Sequence, residues 1–403
     1  MTEPKAMHTR FRIATYNAIS PKGLARFPSM GYEVGPALTT PDAILVRSHV
    51  LAAEDVGPSV KAIARAGAGV NNIPVPQMSQ RGIPVFNAPG ANANAVKELV
   101  IAAIFIAARN VVPAIDSVRA LVPGADFDKR VEEGKKRFAG VEVHGKTLGV
   151  IGLGSIGRLV AEAGLRLGLR VIGFDPALSS EEESRLPASV RRFQAVEEVF
   201  AQSDYVSLHV PLIDATRGLV NGQRLAQFQP GATLLNFARA PVVDEEAVVA
   251  AVRSGQLKSY VCDFPSPRYA GIPNIVALPH LGASTEEAED ASAIMVADQL
   301  REFLEDGSIS NAVNFPSVEM PRESPFRVAI ANANVPNMLG MISSTMGRNG
   351  LNIHNMVNKS KANMAYTLVD LDSEPAPAAL AELARIEGVL SVRQPQLIGG
   401  AGA

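Results

Sequence analysis

The run Leu148-Gly149-Val150-Ile151-Gly152-Leu153-Gly154-Ser155-Ile156-Gly157 constrains the fold of this chain more than any other stretch. An apolar strand passes straight into Gly152-x-Gly154-x-x-Gly157, and Arg158-Leu159-Val160-Ala161-Glu162-Ala163 continues at helical spacing. Glycine suits these positions because the turn is tight, the backbone must approach a pyrophosphate, and the helix packs close to its strand. The unpaired N–H groups at the start of that helix, around Ser155 and Ile156, and its positive dipole end would then face the anion. A glycine triplet alone is weak evidence. Here a second strand, Arg170-Val171-Ile172-Gly173-Phe174, ends on Asp175, where an acid accepts hydrogen bonds from an adenosine ribose. The expected dinucleotide is NAD, because a carboxylate repels a 2′-phosphate and no basic residue follows before Arg185.

At 403 residues the chain has room for two or three domains. Its net charge is −2 with scattered basic residues, so nucleic acid is not expected as a partner, and the longest apolar run, Leu99 to Ala108, is about half of what a bilayer span needs, so neither is a membrane. The single cysteine, Cys262, suits a reducing compartment, the N-terminus has no signal-peptide core, and a cytoplasmic protein is expected. No residue cluster calls for a metal. Short apolar strands (Phe11–Tyr16, Ala43–Val46, Ala62–Ala66, Pro84–Phe86) alternate with helical or turn segments ahead of the nucleotide motif. That alternation predicts a separate parallel α/β unit. A long helix, roughly Ala95 to Leu121, should join it to the nucleotide lobe. Ser284 and Glu287 read as a capping box for a helix to about Asp306, which could return to the first domain.

Composition shifts near Asn311, and Pro316, Pro321 and Pro325 read as a linker. Beyond it the order β-α-β-β-α-β is the ferredoxin-like pattern. The expected division is therefore 1–97 with 284–315 for a substrate lobe, 98–283 for the cofactor lobe, 316–325 for the linker and 326–403 for a third lobe.

Hydride transfer from an alcohol to NAD needs a base for the hydroxyl proton and a cation for the substrate's anion. Of six histidines, His209 and His280 close strands of the cofactor lobe, where ligands of open α/β sheets bind; Arg239 also follows a strand. His8, His49, His144 and His354 are less well placed.

Six segments in order give these residues a context: Gly67-Ala68-Gly69-Val70-Asn71-Asn72, Val85-Phe86-Asn87-Ala88-Pro89-Gly90, His144-Gly145-Lys146-Thr147-Leu148-Gly149, Leu208-His209-Val210-Pro211, Asn236-Phe237-Ala238-Arg239 and Pro279-His280-Leu281-Gly282-Ala283-Ser284. Together they resemble the D-2-hydroxyacid dehydrogenase family, in the branch that oxidises 3-phosphoglycerate to 3-phosphohydroxypyruvate at the entry to serine synthesis. The resemblance covers nearly the whole chain. It implies a Rossmann-type cofactor domain inserted in a flavodoxin-like substrate domain. It also implies that Arg239 grips the substrate carboxylate, a task its planar fork suits, and that His280 is the acid–base residue. His209, Pro211, Ala238 and Asp263 would line the cofactor. Backbone amides of Ala68, Gly69 and Val70 would meet the carboxylate, and Arg47 and Arg65 are candidates for a substrate phosphate.

The family's glutamate, which orients the catalytic imidazole, has no counterpart here. The interval Val261 to Pro279 carries one carboxylate, Asp263, in a shortened loop that also holds Arg268. The third lobe resembles an ACT regulatory domain through Val328–Gly340 and Gly350-Leu351-Asn352-Ile353. That likeness implies Asn332, Asn334 and Asn352 as contacts for an L-serine effector across paired lobes, and hence a homodimer or homotetramer. A reductase of glyoxylate, hydroxypyruvate or another 2-oxoacid is the competing enzyme reading. An NADH-sensing binding protein is the non-enzymatic one.

Overall fold

A computed structural model describes residues 11–36 and 38–397, which leaves His8 outside the described residues. The chain forms two compact units: residues up to Asn92 with Glu286 onward, and Ala93–Thr285.

In the first unit, β1 (Phe11–Tyr16), β2 (Tyr32–Gly35), β3 (Ala43–Val46), β4 (Ala62–Arg65) and β5 (Val85–Phe86) make a parallel sheet in the order β2-β1-β3-β4-β5. That is the flavodoxin-like order. Strand β2 escaped the sequence reading because Tyr32-Glu33-Val34-Gly35 is short and lies at the sheet edge. The helix Glu286–Asp306 packs here, burying Ala293, Val296, Ala297, Leu300, Phe303 and Leu304 with the strand residues Ile13, Leu45, Ala64 and Phe86. It starts two residues beyond the expected Ser284 cap.

The second unit carries β6 (Thr147–Ile151), β7 (Arg170–Phe174), β8 (Arg191–Arg192), β9 (Tyr205–Leu208), β10 (Ala232–Asn236), β11 (Leu257–Cys262) and β12 (Ile275–Ala277). They form one parallel sheet in the order β12-β11-β10-β9-β6-β7-β8, the doubly wound Rossmann arrangement. The expected helix from Ala95 to Leu121 is instead two, Ala93–Ala108 and Val111–Arg119, bent by 66°. Pro113 explains the break. In a continuous helix its ring would clash with the carbonyl of Arg109 and a hydrogen bond would be lost. Asn110 takes up the turn in the left-handed region at φ +50°. The first of these helices buries Val96, Val100, Ala103 and Ile104 against Val150 and Val160, so the unit begins at Ala93 rather than 98. Among the described residues no single helix is long and apolar enough to cross a membrane.

Past Pro325, β13 (Phe326–Ala333), β14 (Ile353–Lys361), β15 (Met364–Leu371) and β16 (Val389–Arg393) pair antiparallel in the order β14-β15-β13-β16. With helices Met338–Arg348 and Pro377–Ala384 this is the expected ferredoxin-like lobe. One sheet face packs on its own helices through Val328, Ile330, Val369 and Leu371. The other face, with Ala329, Ala331, Tyr366 and Leu368, shares a core with Phe303 and Phe315. The lobe therefore belongs to the first unit and does not hang from it.

The segment 316–325, expected as a linker, is correspondingly stitched in. Val318 and Ile309 exchange backbone hydrogen bonds at 2.8 and 2.9 Å. Pro316, Val318 and Met320 are buried while Ser317 and Glu319 face out. That period-2 alternation is the strand signal which the prolines masked. The Glu323 amide donates to Asp370, and the Ser324 hydroxyl to the Leu371 carbonyl.

Candidate active site

In the second unit every expected site residue lies just beyond the carboxyl end of a strand. The register runs level across the sheet: Ala277 opposes Cys262, Cys262 opposes Asn236, Asn236 opposes Leu208, Leu208 opposes Ile151, and Ile151 opposes Phe174. His280, Asp263, Arg239, His209, the Gly152 turn and Asp175 thus follow six neighbouring strands along one edge. Parallel pairing produces this, because all strands end on the same side.

The glycine turn has the geometry a dinucleotide requires. Gly152 sits at φ +89°, and a Cβ there would lie 2.6 Å from the His209 carbonyl oxygen. A Cβ on Gly157 would lie 1.8 Å from the Gly152 oxygen, so the helix Ser155–Arg166 can approach its strand only through glycine. A Cβ on Gly154, by contrast, would meet nothing within 4 Å. The space beside the helix start is open, which fits a pyrophosphate over its first amides.

Asp175 is held ready by its own backbone surroundings. One carboxylate oxygen accepts from the Leu153 amide at 2.8 Å and the other from the Ala177 amide at 3.0 Å. Sequence reasoning missed Arg192, which donates from its guanidinium to the Asp175 carbonyl at 3.4 Å. Its charge is already matched by Glu183. Sixteen intervening positions hid it, and only the pairing of β7 with β8 brings it close.

His209 is a neutral imidazole. Burial pushes its pKa down to about 3. Its Nε2 pairs with the Ser207 hydroxyl at 2.8 Å, while Nδ1 is buried without a partner among the described residues. An orphaned ring nitrogen on the cofactor edge fits a residue that waits for a ligand. Pro211 is exposed, its carbonyl accepting from the Thr216 hydroxyl, and Ala238 is buried with its amide on the Asn236 side chain.

Arg239 is exposed. Its guanidinium donates to the Ala238 carbonyl at 2.7 Å, and it has no carboxylate partner among the described residues. His280 is also exposed and adopts φ +59°, a left-handed conformation uncommon outside glycine. Its ring meets the Phe264 ring edge-on at 5.1 Å between centroids. Among the described residues no carboxylate bonds to it. The shortened loop turns elsewhere: Arg268 pairs with Glu246 at 2.9 Å and Glu245 at 3.6 Å, and the Ser266 hydroxyl donates to Glu245. Asp263 is 3% exposed, and its oxygens accept from the Leu281 and Gly282 amides, both at 2.7 Å.

The first unit has its own edge at the carboxyl ends of β1, β3 and β4. Arg47 follows β3 and pairs with Glu289. Arg65 ends β4 and its Nε donates to the Arg47 carbonyl at 3.0 Å. Asn72 reaches the same carbonyl and that of His49. The turn after Gly67 is anchored by Asn87, whose amide donates to the Ala68 carbonyl at 2.5 Å. Among the described residues the amides of Ala68, Gly69 and Val70 donate to no protein acceptor. Three successive free amides make a concavity suited to an anion.

The third-lobe asparagines do not converge within one chain. Ala333 opposes Met364 and Met364 opposes Lys361, whereas Phe326 opposes Leu371 and Leu371 opposes Ile353. Asn334 and Asn352 therefore lie at opposite ends of the sheet, roughly 25 Å apart along β13 at ~3.3 Å per residue. Asn332 is buried, its amide on the Ala333 carbonyl and its side-chain oxygen unpartnered. Asn334 donates to the Ala362 carbonyl and Asn352 to Asp372.

Comparison with known proteins agrees with this geometry. Residues 101–282 match the D-isomer specific 2-hydroxyacid dehydrogenase, NAD binding domain. A D-3-phosphoglycerate dehydrogenase of Haemophilus influenzae is 31% identical over 361 residues, covering 86% of this chain and 84% of its own length. Another, of Methanocaldococcus jannaschii, is 35% identical over 286 residues, covering 69% of this chain and 52% of its own length. The chain spans about half the length of that relative and of a similar one from Synechocystis. Among solved structures, the NAD+-bound 3-phosphoglycerate dehydrogenase of Entamoeba histolytica has a TM-score of 0.60 at 25% identity, covering 76% of this chain and 99% of that one.

Proposed function

Because the chain belongs to the D-2-hydroxyacid dehydrogenase family, we propose that it is an NAD-dependent D-3-phosphoglycerate dehydrogenase. The observation that carries this reading is the shared carboxyl edge of six strands, where a dinucleotide turn, a guanidinium and an imidazole stand in sequence, the last two without a carboxylate partner among the described residues. NAD supplies the hydride acceptor when bound. Gly152–Gly157 and Asp175 would hold it, with His209, Pro211 and Ala238 lining the nicotinamide side. Arg239 and the amides of Ala68, Gly69 and Val70 would take the substrate carboxylate, and His280 would receive the C2 hydroxyl proton at a ring nitrogen. Arg47 and Arg65 would face the phosphate.

The test is NADH formation from 3-phosphoglycerate with the product removed by a coupled step. Turnover supports the reading, and its absence alongside tight NADH binding overturns it. A second reading, a 2-oxoacid reductase, draws support from the Arg47–Glu289 pair, which already neutralises one proposed phosphate ligand. Arg47→Met separates the two. Loss of a charge-assisted contact should raise KM for 3-phosphoglycerate about 10- to 100-fold and spare hydroxypyruvate. Equal effects on both substrates would remove Arg47 from phosphate recognition.

The third lobe is read as an ACT-type regulatory module that takes L-serine between two copies of the chain. The support is the separation of Asn334 from Asn352, which leaves a shared ligand possible only across a pair. Saturating serine is expected to lower kcat or raise KM in the same assay, and Asn352→Ala to abolish that response. An unchanged rate would leave the lobe structural.

A further inference from the structure

Asp263 is bonded to the loop that carries His280. Its carboxylate is buried, follows β11, and spends one oxygen on each of two successive amides, those of Leu281 and Gly282. These amides immediately follow His280. The fit is close: a Cβ on Gly282 would lie 2.9 Å from Asp263 Oδ2. The histidine itself sits at φ +59°, a conformation strained for a residue with a Cβ that persists only where its surroundings impose it. Two charge-assisted hydrogen bonds at 2.7 Å supply that constraint from the C-terminal side. The neighbouring Phe264 supplies another, its ring edge-on to the imidazole.

The geometry points to Asp263 as the positioning residue for His280, clamping the backbone of the histidine loop where no glutamate bonds to the ring among the described residues. A carboxylate partner would orient the imidazole through its nitrogen. Here Asp263 orients it through the next two peptide groups, and Phe264 limits its rotation. Both ring nitrogens are left available to substrate. The assignment rests on the proposed role of His280 as the acid–base group, and it gives Asp263 a positioning task besides the expected place beside the cofactor.

The test is Asp263→Asn, which keeps size and removes one acceptor, so that a side-chain N–H is set against a backbone N–H. Three quantities are read on the full chain: kcat with 3-phosphoglycerate, the Kd for NADH, and deuterium uptake by residues 280–283. The clamp is expected to show as a fall in kcat of about 10- to 100-fold with Kd for NADH changed by less than about twofold, and as faster exchange in that segment. Gly282→Ala, which pushes a methyl group against the same oxygen, should repeat the pattern; matching thermal melts of both variants with the wild type exclude general unfolding. A loss carried by the NADH Kd with exchange unchanged overturns the inference and leaves Asp263 to the cofactor alone. Unaltered kcat overturns it as well. If the wild type turns over no 2-hydroxyacid, the activity reading fails, and the exchange arm alone decides whether Asp263 clamps the loop.

Discussion

Replacing His280 by alanine is expected to lower kcat for 3-phosphoglycerate oxidation by about 10²- to 10⁴-fold, the usual contribution of a positioned acid–base group. NADH should bind the variant as it binds the wild type, because the turn at Gly152–Gly157 and the Asp175 carboxylate are on other strands. The size of the loss follows from the lack of a substitute. Among the described residues no carboxylate contacts the imidazole, and the nearest carboxylate on its N-terminal side, Asp263, accepts from the Leu281 and Gly282 amides. Arg268, on the shortened loop, is engaged by Glu245 and Glu246. With no carboxylate on the ring among the described residues to take the proton instead, the loss should persist across the pH range. Stopped-flow turnover and NADH titration measure the two quantities separately. A variant that keeps most of its kcat would remove His280 from proton transfer.

The cofactor edge was legible because strand, turn and helix signals are local. Leu148–Ile151 is an uninterrupted apolar run, and the glycines that follow meet constraints a few residues away. The free amides at Ala68–Val70 belong to a glycine-rich turn that the sequence also marks. What stayed hidden arises between distant segments. Arg192 reaches Asp175 only because β7 and β8 pair, and Arg47 meets Glu289 across 242 positions. The clamp by Asp263 depends on β11 and β12 ending side by side, which spacing alone does not state. The helix break at Asn110 was readable in principle. Pro113 signals it, but a window dominated by apolar periodicity hides a single proline. The segment 316–325 failed for the opposite reason: prolines suggested a spacer, and the alternation of Pro316, Val318 and Met320 into the core was too short to outweigh them.

Arg327→Met is expected to destabilise the first unit by about 3–5 kcal/mol, the cost of stranding a buried charge. The Arg327 side chain is fully buried at the start of β13. Its Nε and Nη2 hold both oxygens of Asp370 at 2.7 and 2.9 Å, Nη1 reaches Asp306 at 2.8 Å, and Nη2 also donates to the Pro321 carbonyl. One guanidinium thus ties β15, the end of the helix Glu286–Asp306 and the stitched segment 316–325 together. Methionine fills similar volume, so the loss would be electrostatic rather than a cavity. Burial by itself pushes the Asp370 carboxyl up, but Arg327 and the Glu323 amide outweigh it and hold the group below its ordinary range. A folded-state pKa below the unfolded one contributes stability that is present above the unfolded value, near ~3.9, and is lost as pH falls through the folded value. Wild-type stability should therefore decline over that acid window, and in Arg327→Met this part of the decline should vanish while stability at neutral pH is already low. The double variant Arg327→Met with Asp370→Leu should recover much of the loss, because a buried pair replaced as a whole leaves no stranded charge. Urea midpoints of the wild type and both variants at neutral and acid pH decide the matter. If the single variant matches the wild type at neutral pH, the network does not hold the third lobe, and packing of Tyr366 and Leu368 against Phe303 and Phe315 must hold it instead.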